Sequence, residues 1–320
     1  MLSRVAERLY WMGRYLERAE GTARNINVNT HLLLDLPKGT AFGWEPLIFI
    51  MGGEELFSRH YRDASQQNAL EFMLADPRNP SSICSSLRQA RENLRTLRDV
   101  VPREAWEKLN HLHRFANDHY EQAIAGRSRF PFLTQIIDGC QLITGLLTGT
   151  MSHDEAYEFV RTGRNLERAD MTTRIIDVRS ASLLPKHTGD LAPFANIQWM
   201  SVLKSLSAYQ MYRRQVHVRV SGAEVLRFLF QDAGFPRSVY HCLGEMQQSL
   251  NALPRNEVPR RYVVRLKHQV AEAIVRHLAH EGLHEFIDNL QVALGKLHDR
   301  IRVTYFLTEA PAPKSRYLAA

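Results

Sequence analysis

From Val5 onward, apolar residues recur at Leu9, Met12, Leu16, Ala19, Ala23 and Ile26, in steps of four and three. Because 3.6 residues complete a helical turn, that spacing places them on one stripe of a helix packed against a partner. The same period predicts helices near 44–60, 65–75, 80–99, 103–124, 130–149, 153–182, 195–217, 221–232, 236–252, 257–281 and 283–306. Alternating, strand-like patterns are thin, so the chain reads as all-α. Pro80, Pro102, Pro236 and Pro259 stand where helices start, and loops are expected at 35–43 and 184–196. From Thr308 the apolar period is lost, and residues 308–320 read as a mobile C-terminal tail.

One stretch of this pattern is written twice. Residues 13–28 read GRYLERAEGTARNINV and residues 163–178 read GRNLERADMTTRIIDV, with ten of sixteen positions identical. Two further positions exchange Glu20 for Asp170 and Asn27 for Asp177, keeping an oxygen acceptor in place. Weaker correspondences follow in the same order. Leu36–Lys38 and Leu184–Lys186 both read Leu-Pro-Lys, and each is followed by a polar loop and a tryptophan, Trp44 or Trp199. FMLADPRNPSSI at 72–83 lies under FLFQDAGFPRSV at 228–239, pairing Phe72 with Phe228, Asp76 with Asp232, Pro80 with Pro236 and Ser82 with Ser238. Leu87, Leu94 and Leu97 match Leu243, Leu250 and Leu253, and IDGCQLITG at 137–145 matches IDNLQVALG at 287–295. These matches predict two tandem related halves, about 1–150 and 151–307, within a single helical domain spanning 1–307. With two copies a pseudo-twofold bundle is expected, since a solenoid needs three or more units to bury its faces.

Composition adds little beyond a globular fold: 44% of residues are hydrophobic and 23% charged. Cys84, Cys140 and Cys242 are odd in number and lack a C-x-x-C spacing, as expected of reduced structural thiols in a cytoplasmic protein. The N-terminal MLSRVAERLYWMGR is charged throughout, unlike a signal peptide, and every apolar stretch meets a charge before 18 residues, so no membrane role is expected. The net charge of +7 and a pI near 9.4 favour acidic partners. Basic residues are nevertheless interleaved with acidic ones, as in RQARENLRTLRD at 88–99, which reads as a solvated helix surface and not as a nucleic-acid face.

On a helical wheel the repeated motif separates its residues by direction. Leu16, Ala19 and Ile26 join the packing stripe, whereas Gly13, Arg14, Glu17 and Arg24 fall on the opposite face with Arg18 at its margin. Gly163, Arg164, Glu167, Arg168 and Arg174 repeat that arrangement. Spacing allows Arg14 to pair with Glu17, Glu20 with Arg24, and Asp170 with Arg174. Two readings of this face compete. In one, the charges form an ion-pair network, buried and costly to break, that sets how two helices meet. In the other, the arginines bind a carboxylate or phosphate bidentately while Glu17 or Glu167 orients them. Retention in both copies speaks against an asymmetric catalytic centre in one half.

Other chemistry is sparse. His277, His280, Glu281 and His284 lie at i, i+3, i+4 and i+7, and Glu281 to His284 has the E-x-x-H spacing of carboxylate-bridged metal sites, but no second half-site accompanies it. No metal or other cofactor is therefore expected. His111 and His113 do not share a helical face. Glycine-rich phosphate loops and nucleophile elbows are missing, which leaves nucleotide and triad chemistry without support.

The segments SRVAERLYWMGRYLERAEGTAR at 3–24, FVRTGRNLERADMTTRIIDVR at 159–179 and FLFQDAGFPRSV at 228–239 resemble the alpha-E family of bacterial all-helical proteins, up to about residue 307. That resemblance identifies Glu17 with Arg18 and Glu167 with Arg168 as the recurrent Glu-Arg positions. Family members are typically encoded beside circularly permuted ATP-grasp ligase-like proteins and transglutaminase-like proteases, which implies a joint role in making or processing amide-linked peptides. The expectation is a non-catalytic or accessory partner of such a ligase, holding the partner, a peptide or another acidic ligand through the doubled Arg/Glu face. The alternative is an enzyme acting on an acyl or phosphoryl peptide intermediate, with Arg14, Arg18, Arg164 and Arg168 as a clamp and Glu17 or Glu167 as acid or base. An enzyme needs these groups to line a shared concave pocket, whereas Glu-Arg pairs sealed inside a helix interface with no cavity favour a scaffold or a simple structural role.

Overall fold

The apolar stripe of the first helix is buried along its length: Leu9, Met12, Ala19, Ala23 and Ile26 are fully enclosed and Leu16 nearly so. The structure, a computed structural model, describes residues 1–35, 43–180, 195–216 and 220–307. Among them every regular element is helical. The loops expected at 35–43 and 184–196 lie mostly outside the described residues, and the tail at 308–320 lies wholly outside them.

Two long helices, α1 (Ser3–Asp35) and α8 (Glu155–Ser180), carry the two copies of the repeated motif and make the most extensive interface in the molecule. On α1 pack α5 (Ile83–Arg95) and α7 (Arg129–Thr150), and α6 (Arg103–Ile124) closes over both. On α8 pack α12 (Val239–Ala252) and α15 (Leu283–Ile301), and α13 (Glu257–Ala271) closes over those two. Each motif helix thus stands at the head of a group of four. Smaller helices fill the corners: α2 (Glu45–Ile50), α3 (Glu54–His60), α4 (Gln66–Leu74), α9 (Ala195–Ser205), α10 (Tyr209–Gln215), α11 (Gly222–Gln231) and α14 (Val275–Leu278). After α15 the chain ends its described course in a π-helical turn, Arg302–Phe306, which packs on α1.

Local chemistry explains the helix starts. Ser82 and Ser238 cap α5 and α12, accepting hydrogen bonds from the amides of Ser85 (3.2 Å) and His241 (3.1 Å). Three expected helices are each divided in two. The 44–60 helix breaks at Gly52, whose φ of 62° is open to glycine without strain. The 195–217 helix breaks at Ser207, with φ 53° and no proline or glycine to announce it. The 257–281 helix ends at Ala271, where Gln231 of α11 donates to the carbonyls of Val270, Ala271 and Ala273 at 2.8–3.2 Å and satisfies groups a continuing helix would need. Arg129–Thr150 is the one described helix long and apolar enough to cross a membrane, with a window of mean hydropathy 1.2 interrupted only by Asp138. Its Phe132, Leu133, Ile136, Cys140 and Ile143 are buried in the bundle. The three cysteines are all buried free thiols.

The α1 and α8 backbones touch where the motif begins. A Cβ on Gly13 would fall inside the Val160 carbonyl oxygen, and a Cβ on Gly163 inside that of Tyr10. No side-chain rotation relieves such a clash, because the obstructing atoms belong to the facing helix backbone. Gly13→Ala and Gly163→Ala are each expected to lower stability by about 1–3 kcal/mol. Gly145→Ala and Gly295→Ala, at helical positions with nothing within 4 Å of the new Cβ, are expected to leave stability unchanged or raise it by up to ~1 kcal/mol. Denaturant titration of the four variants checks this pattern, and equal losses at all four would contradict it.

Candidate functional site

The glycine contact brings the charged face of each motif against the other helix, and the charges pair across it reciprocally. Glu167 of α8 accepts from Arg14 Nε at 2.6 Å, Arg18 Nε at 2.5 Å and Arg18 Nη2 at 3.0 Å. Glu17 of α1 accepts from Arg168 Nε at 3.0 Å and Nη2 at 2.7 Å. Each Glu-Arg dipeptide therefore gives its carboxylate to the other helix and takes the other helix's carboxylate in return. Both Glu side chains are only 3% exposed. A second layer surrounds them. Arg237, on the turn before α12, pairs with Glu17 and donates to Glu20 at 2.7 Å. Arg24 donates to Glu20 at 2.8 and 3.0 Å, and Arg174 to Asp170 at 2.9 Å.

The electrostatics follow from this enclosure. Burial pushes the Glu17 carboxyl up, but Arg168 and Arg237 outweigh it and hold the group well below the usual carboxylate range. Burial likewise opposes ionisation of Glu167, and Arg18 with Arg14 overcomes it, bringing the pKa to about 2. Both glutamates are permanently ionised near neutral pH. Arg164 lacks the pairing of its counterpart: burial and then Arg168 lower its pKa, and its Nε has no hydrogen-bond partner.

The sequence placed Arg14, Glu17, Arg18 and Arg24 on one face, and Arg164, Glu167, Arg168 and Arg174 on another; the structure gathers both sets at one helix crossing. Two expected pairs form, Glu20 with Arg24 and Asp170 with Arg174. Arg14 does not pair with Glu17, because the close approach of α8 offers it Glu167 instead. Sequence reasoning missed Arg237. The only signal lay in the aligned 72–83 and 228–239 segments, where a long cation stands at 237 immediately before the capping serine. It also missed Tyr10, which sits fully buried beside Arg14 and bonds His298 at 2.8 Å.

The histidine candidates do not assemble. His277 belongs to α14, His280 and Glu281 follow its end, and Gly282 at φ 77° breaks the chain before His284 starts α15, so no single helical face presents them. His284 turns instead to Asp177 (2.7 Å), with Asp288 at 3.5 Å from its other ring nitrogen. The hydrogen bond to Asp177 raises its pKa.

Part of the charged crossing opens to the surface. A pocket of about 160 Å³ is bounded by Arg14, Arg18, Glu167, Asp170 and Arg174, with Thr22 and Ser81 on its wall and Ile50, Met51 and Met171 beside them. Arg174 also borders a larger cleft of about 480 Å³ formed with Phe49, Asp177, Val178 and His284.

Comparison with known proteins fits the repeated Glu-Arg motif. Uncharacterised proteins of Mycobacterium bovis and Mycobacterium tuberculosis are 24% identical to the chain over 272 residues, an alignment covering 78% of this chain and 30% of each relative. The chain therefore spans under a third of the length of the curated relatives it matches. No solved structure matches. Residues 1–306 match the family described as a predicted alpha-helical domain with a conserved ER motif, so the chain belongs to the Alpha-E family.

Proposed function

We propose that the protein is a non-catalytic, accessory binding module of an ATP-grasp-type ligase system that makes or processes amide-linked peptides. In this reading the chain is a tandem pair of related halves arranged with pseudo-twofold symmetry, α1 and its three companions against α8 and its three. The corresponding order of helix contacts supports that reading, as does the reciprocal exchange of Glu17 and Glu167.

The observation that carries the proposal is the condition of the motif carboxylates. A general acid or base works best with a pKa near the operating pH. Glu17 and Glu167 are held in the opposite condition, ionised and sealed between arginines. Such carboxylates suit the task of fixing guanidinium groups in place. They do not suit the enzyme alternative, in which one of them would shuttle protons. The accessible remainder of the face, at Arg14, Arg18 and Arg174, is cationic and suits an acidic peptide or partner. In the mycobacterial relatives the matched stretch is a minor part of a longer chain, as suits a module working beside other regions.

Co-expression with the ATP-grasp-like protein expected beside it tests the partnership. A stable complex and altered ATP turnover are expected, and Arg174→Ala, at the pocket rim, should weaken the complex roughly tenfold while leaving the melting temperature within a degree or two. A ligase that neither binds the chain nor changes its turnover would overturn the reading.

The lock itself predicts a pH dependence. Folding lowers the pKa of both glutamates, so their stabilisation is complete above the unfolded value of about 4.3 and is lost as pH falls towards the folded values. Stability should therefore drop between about pH 4.3 and pH 2. Glu167→Gln, which strands Arg14 and Arg18, should cost about 3–5 kcal/mol at neutral pH and flatten that acid limb. Chemical denaturation of both proteins across this range provides the measurement.

A further inference from the structure

Ser81 and Arg237 occupy matching places in the aligned segments, each directly before the serine that caps the next helix. The consequence differs in the two places. Arg237 reaches the α1 carboxylates, pairing with Glu17 and Glu20. Ser81 is too short to reach the corresponding α8 carboxylates, Glu167 and Asp170, and the pocket of about 160 Å³ lies there instead. A volume of that size is several times what one water molecule needs.

Thr22 marks the same difference between the two sides. Its side chain is 1% exposed and lines the pocket, yet its hydroxyl has no hydrogen-bond partner. The matching Thr172 donates to the Arg237 carbonyl at 3.0 Å. A buried hydroxyl without a partner costs free energy, so the side that lacks a counterpart of Arg237 also leaves a polar group unsatisfied next to the pocket wall.

The balance of charge and donors selects the occupant. Arg14, Arg18 and Arg174 bring three positive charges to the pocket, against two negative charges on Glu167 and Asp170, for a net of +1. Bonds to those carboxylates take four of the fifteen N–H groups on the three guanidiniums. Glu167 already accepts three bonds and is almost sealed, so an entering cation would meet three arginines and engaged acceptors. An entering anion would meet guanidinium N–H groups that those carboxylates do not take, and would neutralise the cluster.

We propose that this pocket is a binding site for a single oxyanion, a carboxylate or phosphate group, held by Arg14, Arg18 and Arg174. Arg237 fills the matching position as an internal plug, so the chain has one such site and not two. The inference rests on the doubled architecture proposed above and deepens it by naming the chemical class of the ligand.

Isothermal titration of the purified chain alone, with inorganic phosphate and separately with glutarate, tests it. One site per chain is expected for at least one of the two anions, and which of them binds distinguishes a phosphate source from a carboxylate source. Ser81→Arg should place a guanidinium where Arg237 stands on the other side, leave the melting temperature at or above the parent's, and weaken binding by about fiftyfold or more. Arg174→Gln keeps a polar side chain at the rim and removes one guanidinium, and should weaken binding about tenfold; it decides the matter should Ser81→Arg fail to fold. Methylguanidine should not bind. Lack of binding by both anions, binding undiminished in the variants, or binding of methylguanidine in their place would overturn the site. Because no partner is present, a chain that engages the ligase but takes neither anion overturns only this inference. One that binds an anion but leaves the ligase unaffected overturns only the partnership.

Discussion

The contact between the α1 and α8 backbones at Gly13 and Gly163 is the constraint on which the rest depends. Helices usually pack with axes 8–10 Å apart, separated by their side chains. Here glycine removes the Cβ on each side at the crossing, and the facing carbonyls of Val160 and Tyr10 occupy the space. Arg18 and Arg168 then reach Glu167 and Glu17 with both ends of a short, nearly bidentate contact. A wider crossing would leave the same residues buried but unpaired, a state costlier than having no charges there at all. Glycine, glutamate and arginine are in this sense one device: the first sets the distance at which the other two can exchange partners.

That device explains why the motif has two copies of similar sequence while its surroundings differ. Isolated surface ion pairs contribute a few tenths of a kcal/mol and would place little demand on identity. A buried pair places a heavy one, since loss of either member strands the other. Each member here has its partner on the other helix, so a change in one copy disturbs the other. The layer outside the exchange is looser. Arg14 bonds Glu167, whereas Arg164 leaves Glu17 to Arg237, and the two ends of the crossing come to differ in shape and charge.

Much of the helical layout was legible in the sequence, because it rests on local periodicity. The stripe from Leu9 to Ile26 is enclosed where the spacing placed it, and the proline and serine starts of α5, α6 and α12 fall within a few residues of their expected positions. Less legible was anything decided by a distant contact. The wheel put Arg14 and Glu17 on the face away from the apolar stripe, and nothing local shows that α8 covers that face so closely that its carboxylate displaces the i+3 partner. The end of α13 depends on Gln231, some forty positions earlier, and the break at Ser207 carries no glycine or proline. The metal-like spacing at 277–284 fails for a local reason, since the glycine at 282 adopts a left-handed conformation between its members.

Arg237 shows how an asymmetry can hide in a repeat. Aligning two copies draws attention to what they share, and the shared positions here, Gly, Glu, Arg and the capping serine, are those that build the crossing. A lock needs only what is common to both sides. An open site, by contrast, must arise where the copies disagree, because whatever seals one side has to be missing from the other. Ser81 against Arg237 is such a disagreement, one position before a cap that both copies keep. The short side chain leaves a cavity beside the guanidiniums of Arg14, Arg18 and Arg174, while the long one closes the corresponding ground over Glu17 and Glu20. The shared residues thus hold the two motif helices together, and the unshared one decides where that union meets solvent.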